Sequence, residues 1–375
     1  MIFWEERRRQ SRMKIISPHT TGTIDPTRLI AIDYFRGIAI LFVVVGHCYG
    51  PWGINRFGEK VFANIITGGT SLFVFISGYL FHHIYYENFN FARFLEKKTK
   101  YVFFPYVILT LMGIVYYISA GHPLPQSSIL GIGNLLSWTD YVKMTGVYLW
   151  TGGIAYPYWY IPFILIIFLL SPFFVQYIRL SRTSRIVFFF IFLISAMIIQ
   201  RPYPNISPLH SVLYFIPVYL LGILCSIHRK SVNNFIKDRS IILGCIAVAL
   251  SALRALAYNG YGNFNKTDIF SYNGIDIMIL QKIAMCFFFL SFFQKYEITD
   301  IPALKLLASS SFALYFIHTW IVIVFEPTIT KTFIGFLPGM AVFIITVPIV
   351  LSGSLLIAYT VKMVLKKNSR YVTGW

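Results

Sequence analysis

Charge is what this chain of 375 residues has least of: Asp, Glu, Lys and Arg together make up 12% of it, about half the share a soluble domain carries. That shortage excludes a soluble globular domain, a disordered chain and a long coiled coil, all of which need a charged exterior. Acidic residues are scarcer still, 14 against 32 Lys and Arg, which leaves a net charge of +18. Cysteine occurs four times and never as a CxxC pair, so neither a disulfide framework nor a zinc site is expected. The first 28 residues, MIFWEERRRQSRMKIISPHTTGTIDPTR, lack an apolar run and a small-residue cleavage site, and the expectation is a basic cytoplasmic tail over 1–28 with no cleavable signal peptide.

Apolar residues are abundant instead, at 57%, with a mean hydropathy of +0.68. They fall in runs at about 29–49, 61–86, 101–120, 155–179, 186–200, 209–227, 240–258, 273–293, 308–326 and 336–361, each read as a membrane span of roughly 20 residues. The expected fold class is therefore all-α, a polytopic membrane protein of about ten transmembrane helices. The positive-inside rule tests that count, because Lys and Arg should alternate between rich and poor segments. Twenty-three of the 32 lie in segments on the N-terminal side, among them Arg93, Lys97, Lys98 and Lys100, and six lie opposite, Arg56, Lys60, Lys143, Arg201, Lys266 and Lys331. Both termini are thereby expected in the cytoplasm, with a second basic tail over 362–375. The charge excess is a topology signal reinforced by anionic membrane lipid, and no nucleic-acid partner is expected. The stretch 121–154 is the longest extracytoplasmic segment and has too few apolar residues for a span; it reads as a re-entrant or interfacial element.

Three basic residues, Arg36, Arg254 and Lys282, fall inside predicted spans, where ionisable groups are costly and mark internal cavities. Arg254 lies near an outer helix end and can snorkel. Lys282, beside Gln281 in mid-span, either has a functional or cavity-lining role or is only structural. In the first span Asp33, Arg36 and His47 share a face. The 11-residue step from Arg36 to His47 is three turns plus roughly 20°, with a rise near 16 Å. Asp33 lies on the same stripe and can pair with the guanidinium as an i,i+3 neighbour. A cation at the cytoplasmic end suits an anionic ligand, and a histidine further along suits a general base, since its ordinary pKa lies near neutrality.

These residues resemble the acyltransferase 3 family of integral membrane acyltransferases, whose first helix carries an Arg, ten residues and then a His, preceded by an Asp. Similar to the family too are GGTSLFVFISGYLF, which places Phe73, Phe75, Ser77, Gly78 and Tyr79 on its FF-x-x-SG-F/Y pattern, and FARFLEKKTKYVFFPY, in which Lys97 and Lys100 stand for its R-x-x-R before Pro105. Lysines replace arginines there, which weakens a bidentate phosphate clamp. The segment SSSFALYFIHTWIV places His318 in the ninth span. The resemblance covers roughly residues 28–361 and implies one membrane acyltransferase domain over 29–361. It further implies transfer of an acyl group, usually acetyl, from cytoplasmic acyl-CoA to a hydroxyl of an extracytoplasmic polysaccharide or lipid-linked sugar, in the cytoplasmic membrane.

On that reading Arg36, Lys97 and Lys100 meet the phosphates of coenzyme A, and Asp33 orients Arg36. His47 either removes the acceptor's proton or carries the acyl group as acyl-imidazole. Ser77 lines the path or merely permits close packing, and His318 is a second site histidine or a packing hydrogen bonder. No metal is expected. Trp159 and Tyr160 read as an interfacial aromatic belt, and Asp276 and Glu326 as polar groups near extracytoplasmic helix ends. The rival reading is a transporter or flippase that uses Asp33, Arg36, His47 and Lys282 as a substrate or proton pathway, against which no internal repeat is visible. Oligomeric state has no signal in the sequence.

Overall fold

Every apolar run found in the sequence contains a helix in the computed structural model, which describes residues 29–375 except Pro51, Asn134, Asn273, 297–299 and 334–335. The basic tail 1–28 and the side chain of Glu326 lie outside the described residues. The first part of the chain forms α1 (Ile30–Val45), α2 (Phe57–Ile66), α3 (Thr70–Leu80), α4 (Phe91–Lys98), α5 (Phe104–Ser119) and α6 (Trp138–Thr151). Then come α7 (Tyr160–Leu169), α8 (Ser171–Arg179), α9 (Arg182–Ile199), α10 (Pro208–Ile227), α11 (Arg229–Ile236) and α12 (Ser240–Ala257). The last helices are α13 (Met278–Gln294), α14 (Pro302–Ser309), α15 (Ser311–Phe333), α16 (Gly339–Leu365) and the short α17 (Ser369–Val372).

Among the described residues six helical segments are long and apolar enough to cross a membrane, and eight if the bent pairs α7–α8 (54°) and α14–α15 (77°) each count as one span. The shortfall against ten expected spans has a geometric reason. With 16 residues in α1 and 17 in α13, a rise of 1.5 Å per residue gives them only about 24–26 Å against a hydrocarbon core of roughly 30 Å. The segment 121–154 resolves into α6, a 14-residue helix that Tyr106 fastens by donating to the carbonyls of Tyr148 and Leu149, each at 3.0 Å.

The centre of the fold is α10, 83% buried over its apolar window, whereas the peripheral α9 and α12 are 17% and 22% buried. Two glycines put α10 there. A Cβ on Gly78 of α3 would stand 2.0 Å from the Tyr219 carbonyl oxygen, and one on Gly222 of α10 would stand 2.1 Å from that of Phe75. The two backbones thus approach as closely as small residues in membrane helices allow. In the SG pair of the second motif, Gly78 serves this contact, and Ser77 is left to face a cavity. Helix α1 packs in turn against α3, α13, α14 and α15.

Two interruptions shape the interior. After α3 and after α4 the chain widens into single π-helical turns, Phe81–Tyr85 and Thr99–Phe103. At the opposite end the loops before α10 and after α12 are joined by a two-residue parallel ladder, β1 (Arg201–Pro202) on β2 (Asn265–Lys266), which fixes where Arg201 sits.

Candidate active site

The site is built on α1, whose two ends open into different cavities. At the N-terminal end Asp33 and Arg36 form the i,i+3 ion pair, at 3.3 Å. Arg36 lines a cavity of about 240 Å³ whose walls are otherwise mainly apolar, with Ser77, Lys98, Tyr160 and Tyr219 among its lining residues. Both π-helical turns contribute to it, through Phe81, Ile84 and Tyr85 from the first and Val102 from the second. An extra residue in a helical turn displaces the backbone outward, the kind of irregularity that opens space at functional sites. The basic stretch across α4 and the π-helical turn after it divides by helical phase. Lys98 turns inward, its ammonium 4.5 Å from the Phe168 ring centroid and 5.2 Å from those of Tyr85 and Phe94. Lys97 is exposed, and Lys100 pairs with Glu96 at 2.5 Å on the outer face. Neither of those two lines the cavity, while Lys98 between them does.

At the other end α1 stops at Val45, short of the expected 49, and tightens so that the His47 N–H bonds the Val44 carbonyl at 3.0 Å. The carbonyl of Val43, left over at the helix end, accepts from His47 Nδ1 at 2.7 Å. A carbonyl only accepts, so Nδ1 carries the proton and Nε2 presents its lone pair to a ligand. His47 lines a second cavity of about 160 Å³, with Tyr156, Arg201, Asn205, Tyr261 and Asn263. His318 on α15 lies directly beside it, ring centroids 5.3 Å apart. It repeats the same geometry, Nδ1 donating to the Leu314 carbonyl at 2.7 Å, and its buried Nε2 has no hydrogen-bond partner among the described residues. Two imidazoles from distant parts of the chain therefore stand side by side, each with its tautomer fixed by its own helix.

The two cavities share Val43, Thr70 and Tyr315. Tyr315 is held in that shared wall by a hydrogen bond from its hydroxyl to the Pro157 carbonyl. Arg36 and Val43 recur along one face of α1 and His47 follows in the turn just past its end, so one helix and its terminal turn present a cation to one cavity and a base to the other.

Lys282 lines neither cavity. Its ammonium donates to the carbonyls of Asn64 (3.1 Å) and Ile65 (3.4 Å) at the C-terminal end of α2, where a cation complements the helix dipole. Its Cε would lie 2.7 Å from a Cβ on Gly68, a residue at φ +74° in the chamber wall. Lys282 thus supports the site from behind. Arg254 lies with its guanidinium 3.9 Å over Phe264, near the outer end of α12. Asp276 accepts from the Tyr214 hydroxyl (2.8 Å) and from the Met278 N–H (2.7 Å), tying α10 to the start of α13. Trp159 and Tyr160 are buried, with Trp159 stacked on Phe215, so they form interior rather than an interfacial belt.

Sequence reasoning missed Arg201 and Tyr315. Arg201 donates through Nε to Asn205 Oδ1 at 2.6 Å, lies 4.6 Å over Trp159 and is buried. Burial pushes its pKa down, and Tyr214, Tyr156, Tyr49 and Asp276 pull it back up. The signal in the sequence was that it is one of only six basic residues on the charge-poor side. Tyr315 carried no signal of its own.

A helical protein with this many apolar spans, enclosing two cavities that meet beside a tautomer-fixed histidine, has the character of a multi-pass membrane protein. The match to known families is more specific: residues 29–359 fit the acyltransferase domain of the acyltransferase 3 family. The chain belongs to that family and is a membrane acyltransferase. Neither the curated proteins nor the solved structures contain a match to it.

Proposed function

We propose that this protein moves an acyl group, acetyl by preference, from cytoplasmic acyl-CoA to a hydroxyl of an extracytoplasmic polysaccharide or lipid-linked sugar, at the cytoplasmic membrane. The observation that carries the reading is the shared wall of Val43, Thr70 and Tyr315 between an apolar, cation-rimmed cavity and a polar one holding His47. The thioester arm enters the first cavity past Arg36 and Lys98, which neutralise phosphate charge. Lys97 and Lys100, outside that cavity, add long-range attraction for the same phosphates. The acceptor sugar occupies the second cavity, its hydroxyl against His47 Nε2.

In the reaction His47 Nε2 takes the acceptor's proton as the hydroxyl oxygen attacks the thioester carbonyl. The C–S bond then breaks, and the thiolate leaves with the proton that His47 returns, so atoms and charge balance. His47 thus acts as base and then acid. His318, with an unshared Nε2 lone pair next to it, stabilises the transient imidazolium. Asp33 holds Arg36 in place.

The test is transfer by the purified full-length protein in lipid, given acetyl-CoA and a candidate polysaccharide. The expected result is release of free thiol and labelling of the glycan, both abolished by His47→Ala with expression and folding intact. Thiol release unchanged by His47→Ala would overturn the site. Movement of sugar across vesicles without any acyl transfer would replace the reading with transport.

A further inference from the structure

The acceptor-side chamber contains a charge that acyl transfer to a neutral sugar does not require. Arg201 is 8% exposed and lines the chamber, yet among the described residues it forms no ion pair. Its one nearby carboxylate, Asp276, has both oxygens engaged, Oδ2 by Tyr214 and Oδ1 by the Met278 N–H. A buried guanidinium with no carboxylate in direct contact among the described residues is expensive, and proteins keep one where a ligand supplies the contacting anion.

Its geometry is preset for that. The backbone N–H of Arg201 bonds the Phe264 carbonyl at 3.2 Å, Nε bonds Asn205, and the plane rests on Trp159. With Nε engaged, the two terminal amino groups form the fork that takes a carboxylate or phosphate. Among the described residues, the chamber lining has no Asp or Glu to repel an anion. Lys266, the other cation on this ladder, is spent on the carbonyls of Ile198 and Ser271.

Resting on the function proposed above, we infer that the acceptor is an acidic glycan. It carries a carboxylate or phosphate that pairs with Arg201 while a neighbouring hydroxyl faces His47.

The experiment uses the full-length protein in lipid nanodiscs with acetyl-CoA and three probe acceptors, methyl glucoside, methyl glucuronide and glucose 1-phosphate. Transfer is followed by thiol release, and binding of each probe is measured separately by calorimetry without donor. The anionic probes should be preferred over methyl glucoside by roughly 10- to 100-fold. Arg201→Gln should erase that preference by lowering transfer to the two anionic probes far more than to methyl glucoside, and Arg201→Lys should keep part of it. Preference for the glucuronide over the phosphate, or the reverse, identifies which anion the site takes.

Equal use of neutral and charged probes by the unaltered protein would overturn the inference. So would an equal loss on all three probes in Arg201→Gln, which would make Arg201 a support of the fold or of the thioester. If Arg201→Gln fails to fold, Arg201→Lys and the calorimetry of the unaltered protein still decide. If no probe releases thiol, the transfer reading fails on its own, and the binding preference alone judges the acidic-glycan inference.

Discussion

The two cavities on α1 are a few side chains apart and chemically opposite. The one at the Arg36 end is aromatic and apolar, with its cations at Arg36 and Lys98. The one at the His47 end is lined by amides, tyrosine hydroxyls and a histidine, with Arg201 as its single permanent charge. An apolar tunnel with a cationic rim suits a slender acyl chain whose phosphates stay outside. A chamber rich in hydrogen-bonding groups suits a sugar. The difference shows how one helix can border two chemically distinct cavities, as the proposed transfer requires: the helical repeat supplies the common face, and the partners from α3, α4, α15 and the outer loops give each half its own chemistry.

Breaking the polar half at its base should have the largest effect. His47→Ala is expected to lower transfer by on the order of 10²–10⁴-fold, the range for loss of a general base, while donor binding measured by calorimetry stays within twofold. Loss of donor binding in that variant would mean the halves are not separate. On the apolar side Lys98→Gln should raise the KM for acyl-CoA by roughly 10-fold or more, the scale of a hydrogen bond to a charged group, with the acceptor KM unmoved. An acceptor KM that rose equally would place Lys98 outside the donor path.

Lys282→Met removes the donors that satisfy two carbonyls at the end of α2. The expected cost is about 1–3 kcal/mol of stability, seen as a lower midpoint in thermal unfolding, with a smaller loss of rate felt in the acceptor half alone. An unchanged midpoint would deny the supporting role. The smallest effect belongs to Lys97→Ala combined with Lys100→Ala. Both side chains are on the outer face and the Lys100–Glu96 pair is exposed. Donor KM should rise no more than about threefold at low salt and not at all at high salt, because exposed charges are screened within a Debye length. A salt-independent loss would return these lysines to direct phosphate contact.

How much was legible beforehand depends on how far apart in the chain the interacting residues lie. Asp33 and Arg36 are within α1 and His47 lies in the turn two residues past its end, so the 3.6-residue repeat was enough to put them on one face. The i,i+3 ion pair followed from the same repeat. Of the basic stretch across α4 and the π-helical turn after it, motif resemblance picked Lys97 and Lys100, but the side of the helix that turns inward is set by where Phe94 and Phe168 pack, and that selects Lys98. Trp159 and Tyr160 looked interfacial because aromatics near a helix start often are. Their burial comes from the stacking of Trp159 on Phe215 of α10, a contact with no local signature.

Composition, periodicity and motif order are properties of the chain, and they were enough to read an all-helical membrane protein, the shared face of the first span and the family resemblance. Folding was needed to bring His318 beside His47, to let α3 and α10 meet backbone to backbone at Gly78 and Gly222, and to deliver Arg201 into the chamber through the pairing of β1 with β2. Each of these joins residues from different helices or loops. Which helices become neighbours is settled by the mutual fit of whole faces, not by any local pattern of residues.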